Sequence, residues 1–348
     1  MLAERNGEAA AALGADVTVA PYGPGDGLPL FVTPRTGALR QDRDAATGWM
    51  REHEAALDGI LRDVGAVVLR GFAFGDTGGF AQAIDHYPDM AFGYAAGAAP
   101  RANIQGRVFE ATRSPPEVSI TLHQEMAYLP AFPSRLAFFC NHAPDSGGET
   151  LIGDVRRFEA LVSQRFRGEV EARGVRYVRS FRSPDFAVEE PRLEGLYKTW
   201  AEAFSTDDPV KVEAECAAMG LECVWNADGG VSVRYDSPGF VRHPVTGRQL
   251  WFNQIATQTM TDATYGPEVM GAFRRLSGAE HPLPYVTTFA DGGPIAEADV
   301  AAVRQTLAGL QVAFPWRQGD LMLIDNFLTF HGRSPYAGRR DVQVALLN

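Results

Sequence analysis

Apolar residues in this chain gather mostly into short runs, and only a minority recur at helical spacing. The runs "SRLAFFCNH" (134–142), "ETLIGD" (149–154), "VRYVRSF" (175–181), "ECVWNA" (222–227), "VSVRYD" (231–236), "RQLWFNQI" (248–255), "DLMLIDNFLTF" (320–330) and "RDVQVALL" (340–347) are rich in β-branched and aromatic residues. Most are of strand length, and several are bounded by Gly, Pro or Asp, so they predict strands. The "DGG" at 228–230 and "HPVTG" at 243–247 supply turns for hairpins. Earlier, "AVVLRGF" (66–72) predicts one more buried strand.

Helical spacing appears from Thr47 to Val64, where Met50, Leu57, Ile60 and Leu61 share a face and Gly65 stops the helix. Helical patterns also cover 76–88, 154–172, 208–219, 266–276 and 296–310. The stretch 89–120 has no period and reads as a long loop, of the kind that often serves as a lid. No repeat or linker divides the rest. The expectation is an N-terminal extension over residues 1–45 packed on one domain, 46–348, with a helical insertion around 154–220. Many strands with interrupting helices predict a mainly β fold with α insertions, a sandwich or jelly-roll core surrounded by helices.

Composition narrows the function. With 45% hydrophobic residues in 348, the chain can bury a large core, and its net charge of −11 with scattered basic residues argues against nucleic acid or an anionic membrane as partner. Cys140, Cys216 and Cys223 match neither a zinc ribbon nor a disulfide framework. With no apolar run long enough to span a bilayer, the expectation is a cytoplasmic protein.

The candidate chemistry begins at "TLHQE" (121–125). On an extended segment residues i and i+2 point the same way, so His123 and Glu125 can grip one ion. His331, at the end of a long apolar run, is the best third ligand. Two imidazoles and a carboxylate on one side of a metal suit non-haem Fe(II) activating O2, although zinc hydrolases use similar sets. A lone His-X-Glu is more often coincidence than ligand pair, and its company lifts this one. Thr150 opens a strand after "SGGE", and Arg340 follows His331 on the alternating face of Val342, Val344 and Leu346, while Arg339 falls on the other. A hydroxyl and a guanidinium fork match the far carboxylate of a dicarboxylic cosubstrate.

With those residues assembled, the chain resembles the taurine dioxygenase-like (TauD/TfdA) family of Fe(II)- and 2-oxoglutarate-dependent oxygenases. The likeness is strongest in "LHQEMAYLPAFPSRLAFFCNHAPDSGGETLIGD", "HPVTGRQLWFNQ" and "FPWRQGDLMLIDNFLTFHGRSPYAGRRDV". Those segments look most like the subgroup of syringomycin-type aspartyl hydroxylases. The resemblance implies a double-stranded β-helix, iron held by His123, Glu125 and His331, and 2-oxoglutarate held by Thr150 and Arg340. It further implies hydroxylation of an aliphatic C–H of an amino acid or derivative, free or bound to a carrier protein, in natural-product biosynthesis. Halogenating relatives lack the carboxylate ligand, and Glu125 occupies that position here.

Arg101, Asn103, Asn253 and Arg333 are the candidate substrate contacts. Trp200, Trp225, Trp251 and Trp316 are expected in the core, and the remaining histidines at the surface or in turns. Desaturation or epoxidation by the same cofactors is the nearest alternative. A zinc hydrolase or a non-catalytic jelly-roll binding protein is the alternative from another class.

Overall fold

The computed structural model describes residues 2–22, 27–90, 103–111, 114–188, 193, 196–277 and 282–348. Its framework is a mixed, mostly antiparallel eight-stranded sheet. In spatial order the strands are Val17–Pro21, Leu30–Pro34, Ala66–Leu69, Leu321–Asp325, Arg135–His142, Asp341–Leu347, Val108–Glu110 and Asn103–Gln105. A three-stranded sheet places Thr329–Arg333 between Ile120–His123 and Thr150–Asp154. A four-stranded sheet of Glu222–Trp225, Val231–Ser237, Val175–Phe181 and Tyr285–Phe289 pairs with neither but packs into the same core as the small sheet.

Alternation along the central strands divides the core in two. Ala66, Val68, Leu136, Phe138, Cys140, Met322, Ile324, Val342, Val344 and Leu346 belong to the cluster that also holds Leu122, Ile152 and Phe330 of the three-stranded sheet. Their odd-numbered neighbours Val67, Leu69, Ala137, Phe139, Leu321, Leu323, Ala345 and Leu347 pack instead on the N-terminal helices. Those helices are Arg43–Glu52, Glu54–Val64 and Thr77–Ala83, which bring Trp49, Met50, Leu57, Leu61 and Phe80. Covered on both faces, Leu321–Asp325 is buried at every position.

The expected helix over 47–64 is two helices that meet at His53, and it does end at Gly65, whose φ of 91° is the left-handed conformation glycine tolerates. A side chain there would also collide with Thr329 Oγ1. Residues 1–45, expected as an extension packed on the domain, supply a helix, Leu2–Leu13, and two strands of the large sheet. The stretch expected to be loop, 89–120, includes the hairpin Asn103–Gln105 with Val108–Glu110.

The largest departure concerns "DLMLIDNFLTF". It is not one strand: Leu321–Asp325 runs in the large sheet and Thr329–Arg333 in the small one. Asp325 Oδ1 accepts the backbone N–H groups of Phe327 (2.8 Å) and Leu328 (3.1 Å), a local turn that competes with the extended chain. His243 Nε2 donates to Asp325 Oδ2 at 2.9 Å, because its Nδ1 accepts from the backbone N–H of Val245 and of Thr246, both at 3.2 Å. Thus His243 sits in a turn as expected, but it is buried rather than at the surface.

Candidate metal centre and cosubstrate cavity

The small sheet builds one side of the site by register alone. His331 pairs with His123 on one neighbouring strand and with Ile152 on the other, and Arg333 pairs with Thr150. Directly paired residues put their side chains on the same face, so His123, His331, Arg333 and Thr150 all point one way. Gly332 lets the strands close, since a β-carbon there would lie 2.4 Å from the carbonyl oxygen of Ile120.

The His-X-Glu segment reaches the same point by a route strand alternation did not anticipate. Ile120–His123 ends at the histidine, and Glu125 lies in the turn beyond it, where Met126 takes a φ of 57°. Asn326 takes over the positioning. Its Oδ1 accepts from Glu125 N at 2.8 Å, and its Nδ2 donates to the carbonyls of Glu125 (3.1 Å) and Pro133 (2.8 Å). Gln124 points away from the metal-side residues and donates to the carbonyls of Asn326 and Phe327, and Gln254 donates to Gln124 O at 2.6 Å. This buried amide network fixes the backbone on both sides of the carboxylate.

His123, Glu125 and His331 each present one donor atom within 4.8 Å of the others. His331 Nε2 is 3.3 Å from Glu125 Oε2, and the two imidazole centroids are 4.3 Å apart. His123 Nδ1 donates to Thr121 O at 2.9 Å, which sets the tautomer whose Nε2 is the acceptor nitrogen. His331 Nδ1 is buried without a hydrogen-bond partner among the described residues. Two imidazoles and a carboxylate converging on one point fit a divalent metal by donor chemistry.

Beside the cluster lies a cavity of about 120 Å³, lined by His123, His331, Phe138, Thr150, Arg333 and Arg340 among others. Arg340 reaches it as the alternation predicted, while Arg339 is exposed. Arg340 Nε donates to Gly148 O at 2.9 Å, and its terminal nitrogens have no protein acceptor among the described residues. Burial, together with the nearby charge of Arg333, lowers the Arg340 guanidinium from its ordinary range to about 10. It therefore remains a cation at neutral pH, in surroundings that favour an incoming anion.

Arg333 is in the cavity wall, but its two terminal nitrogens are engaged elsewhere. Nη1 donates to Ser114 O (3.0 Å), and Nη2 donates to Pro115 O (2.6 Å) and Val118 O (2.8 Å). With Ser119 Oγ on Arg333 O and Tyr336 N on Pro116 O, it straps the 114–119 segment across the site. Asn253 is buried and bonded to Gly239 O, outside the cavity lining. Asn103 is exposed and bonded to Gly106 O within its own hairpin. Arg101 lies outside the described residues. Three further residues matter that sequence reasoning had not singled out for the site: Asn326 and Asp325, two polar residues interrupting an apolar run, and Trp316, assigned there to the core.

The family model for the taurine catabolism dioxygenase TauD, TfdA family matches residues 32–346. The dapdiamide synthesis protein DdaC of Enterobacter agglomerans is 29% identical over 293 residues, 84% of each chain. A clavaminate synthase-like protein of Arabidopsis thaliana is 30% identical over 294 residues, 83% of each. Among solved structures, PvcB of Pseudomonas aeruginosa is similar with a TM-score of 0.52 at 18% identity, covering 96% of this chain and 92% of that one, a likeness of fold. With a family model spanning nearly the whole sequence, and the His-Glu-His cluster in place, the chain belongs to the taurine catabolism dioxygenase (TauD, TfdA) family of enzymes, oxygenases that work with Fe(II) and 2-oxoglutarate.

Proposed function

We propose that this enzyme hydroxylates an aliphatic C–H of an amino acid or amino-acid derivative, free or carried on a protein, in the biosynthesis of a natural product. The observation that carries the oxygenase chemistry is the His123–Glu125–His331 cluster, whose two histidines line one cavity together with Thr150 and Arg340. The amino-acid and natural-product parts rest on the resemblance of the motif segments and on a relative named for dapdiamide synthesis. In this reading the core is a double-stranded β-helix built from the large and small sheets.

His123, Glu125 and His331 would hold Fe(II), and bound there with 2-oxoglutarate it supplies oxidation of a C–H bond by O2. The protein's own part is placement. Asn326 and Thr121 orient the donor atoms, Arg340 and Thr150 take the far carboxylate of the cosubstrate, and Phe138, 5.5 Å from the His331 ring, helps keep water out. The Glu125 carboxylate fills the position that a halide would need, which favours hydroxylation over halogenation. No helix of the described residues is long and apolar enough to cross a membrane. The three cysteines are free thiols, which suits a reducing cytoplasm.

The test is succinate formation by anaerobically prepared protein given Fe(II), 2-oxoglutarate, O2 and a panel of amino acids, with His123→Ala as control. Succinate that rises with one amino acid, and a product heavier by one oxygen atom, is the expected result. A product lighter by two hydrogens means desaturation. No succinate under any condition overturns the oxygenase reading and returns the cluster to another metal or none.

A further inference from the structure

The cavity contains one donor whose direction the structure sets. Thr150 is 2% exposed, and its Oγ1 accepts a hydrogen bond from Trp316 Nε1 at 3.2 Å. An indole nitrogen can only donate, whereas a hydroxyl has one proton to give and two lone pairs to receive. The contact therefore uses an acceptor lobe of Thr150 and leaves the hydroxyl proton to go elsewhere. No described residue offers that proton an acceptor, and the space beside the oxygen is the cavity shared with Arg340. A buried donor without an acceptor is costly, and a carboxylate in the cavity would supply one.

Trp316 is itself held firmly. It lies in the loop that precedes Leu321–Asp325, where Arg70 grips both sides of it. Arg70 donates to Pro315 O at 2.8 Å and forks onto the buried carboxylate of Asp320 at 3.0 Å and 2.6 Å, and that carboxylate also accepts from Arg317 N. Phe314 packs edge-on against the indole with ring centroids 5.2 Å apart. The tryptophan is thus a fixed donor on a braced loop.

We infer that Trp316 is a positioning residue for the cosubstrate: its N–H orients the Thr150 hydroxyl so that it donates to the distal carboxylate of 2-oxoglutarate. The inference rests on the reading that Thr150 and Arg340 take that carboxylate. Trp316→Phe removes the N–H and keeps most of the packing, so stability changes little while the cosubstrate loses a pre-aimed donor.

The experiment is calorimetric titration of the Fe(II)-loaded full-length protein with 2-oxoglutarate, without O2, for wild type, Trp316→Phe, Thr150→Val and the double variant. The expected result is about threefold to tenfold weaker binding in each single variant, the scale of one hydrogen bond. The double variant should be no weaker than Thr150→Val, because the indole acts only through the hydroxyl. Unchanged binding in Trp316→Phe, or a loss that persists in full on the Thr150→Val background, overturns the inference and leaves the cosubstrate reading standing. Unchanged binding in Thr150→Val overturns that reading and the inference with it. Should Trp316→Phe not fold, the indole N–H resonance of the wild type serves instead: it should shift in Thr150→Val, and a resonance that stays in place refutes the contact.

Discussion

The two faces of the eight-stranded sheet are built by the same strands and do different work. On the outer face Ala137, Phe139, Leu323 and Ala345 meet the N-terminal helices in an apolar layer. On the inner face Phe138 lies 5.5 Å from the His331 ring, and Arg340, entering the neighbouring strand, turns its guanidinium into the cavity. One residue of displacement along a strand separates packing from chemistry. Stability and activity should therefore respond separately to substitutions at adjacent positions, a separation that can be tested directly.

The strongest test is on the inner side. Glu125→Ala removes a proposed metal donor from the cluster, and turnover should fall to the level without enzyme while the melting temperature in the absence of metal stays close to wild type. Activity and calorimetry on the same preparation check this. The outer face should show the reverse: Phe139→Ala opens a cavity in the apolar layer and should cost about 3–5 kcal/mol in a denaturant titration. Metal affinity in the folded fraction should not change.

Asn326→Ala lies between these extremes, because it leaves every donor atom in place and removes what holds the Glu125 backbone. Metal affinity should drop about tenfold to a hundredfold, as is usual when groups orienting ligands are lost. An equal loss in Phe139→Ala would erase the distinction between the faces. The smallest effect is in pH. Arg340 must be charged to hold a carboxylate, and binding an anion raises its pKa further. Affinity for 2-oxoglutarate should thus be present below the free-state value of about 10 and decline as pH rises through it. Binding titrations at rising pH check the sign.

Local signals sufficed where strands and helices are local. The hairpin turns at 228–230 and 243–247, the stop at Gly65 and the inward aim of Arg340 follow from alternation and turn chemistry alone. The three candidate metal donors do come together, but for a partly different reason from the one expected. Alternation was expected to align His123 with Glu125, yet the strand stops at His123 and an asparagine some two hundred residues later holds the carboxylate's backbone. No local pattern encodes that partner. Arg333 shows the converse: its position on the site face was legible, but the three carbonyls that occupy its guanidinium come from a loop without periodicity.

The break at Asp325 and Asn326 also sets how this stretch can change in length. Leu321–Asp325 is locked by pairing to Ala66–Leu69 and Arg135–His142, and Thr329–Arg333 by pairing to Ile120–His123 and Thr150–Asp154. Three residues join two fixed registers. Inserting or deleting one residue between them would either undo the Asp325 turn or turn His331 to the opposite face, since a single step reverses every side chain of a strand. The exposed turn at Val245–Gly247 joins the two strands of one hairpin that carries no metal donor, so a change of length there has no second sheet's register to satisfy, although Val245 and Thr246 hold His243. In this enzyme, tolerance to insertion is governed less by burial than by whether a turn connects one sheet or two.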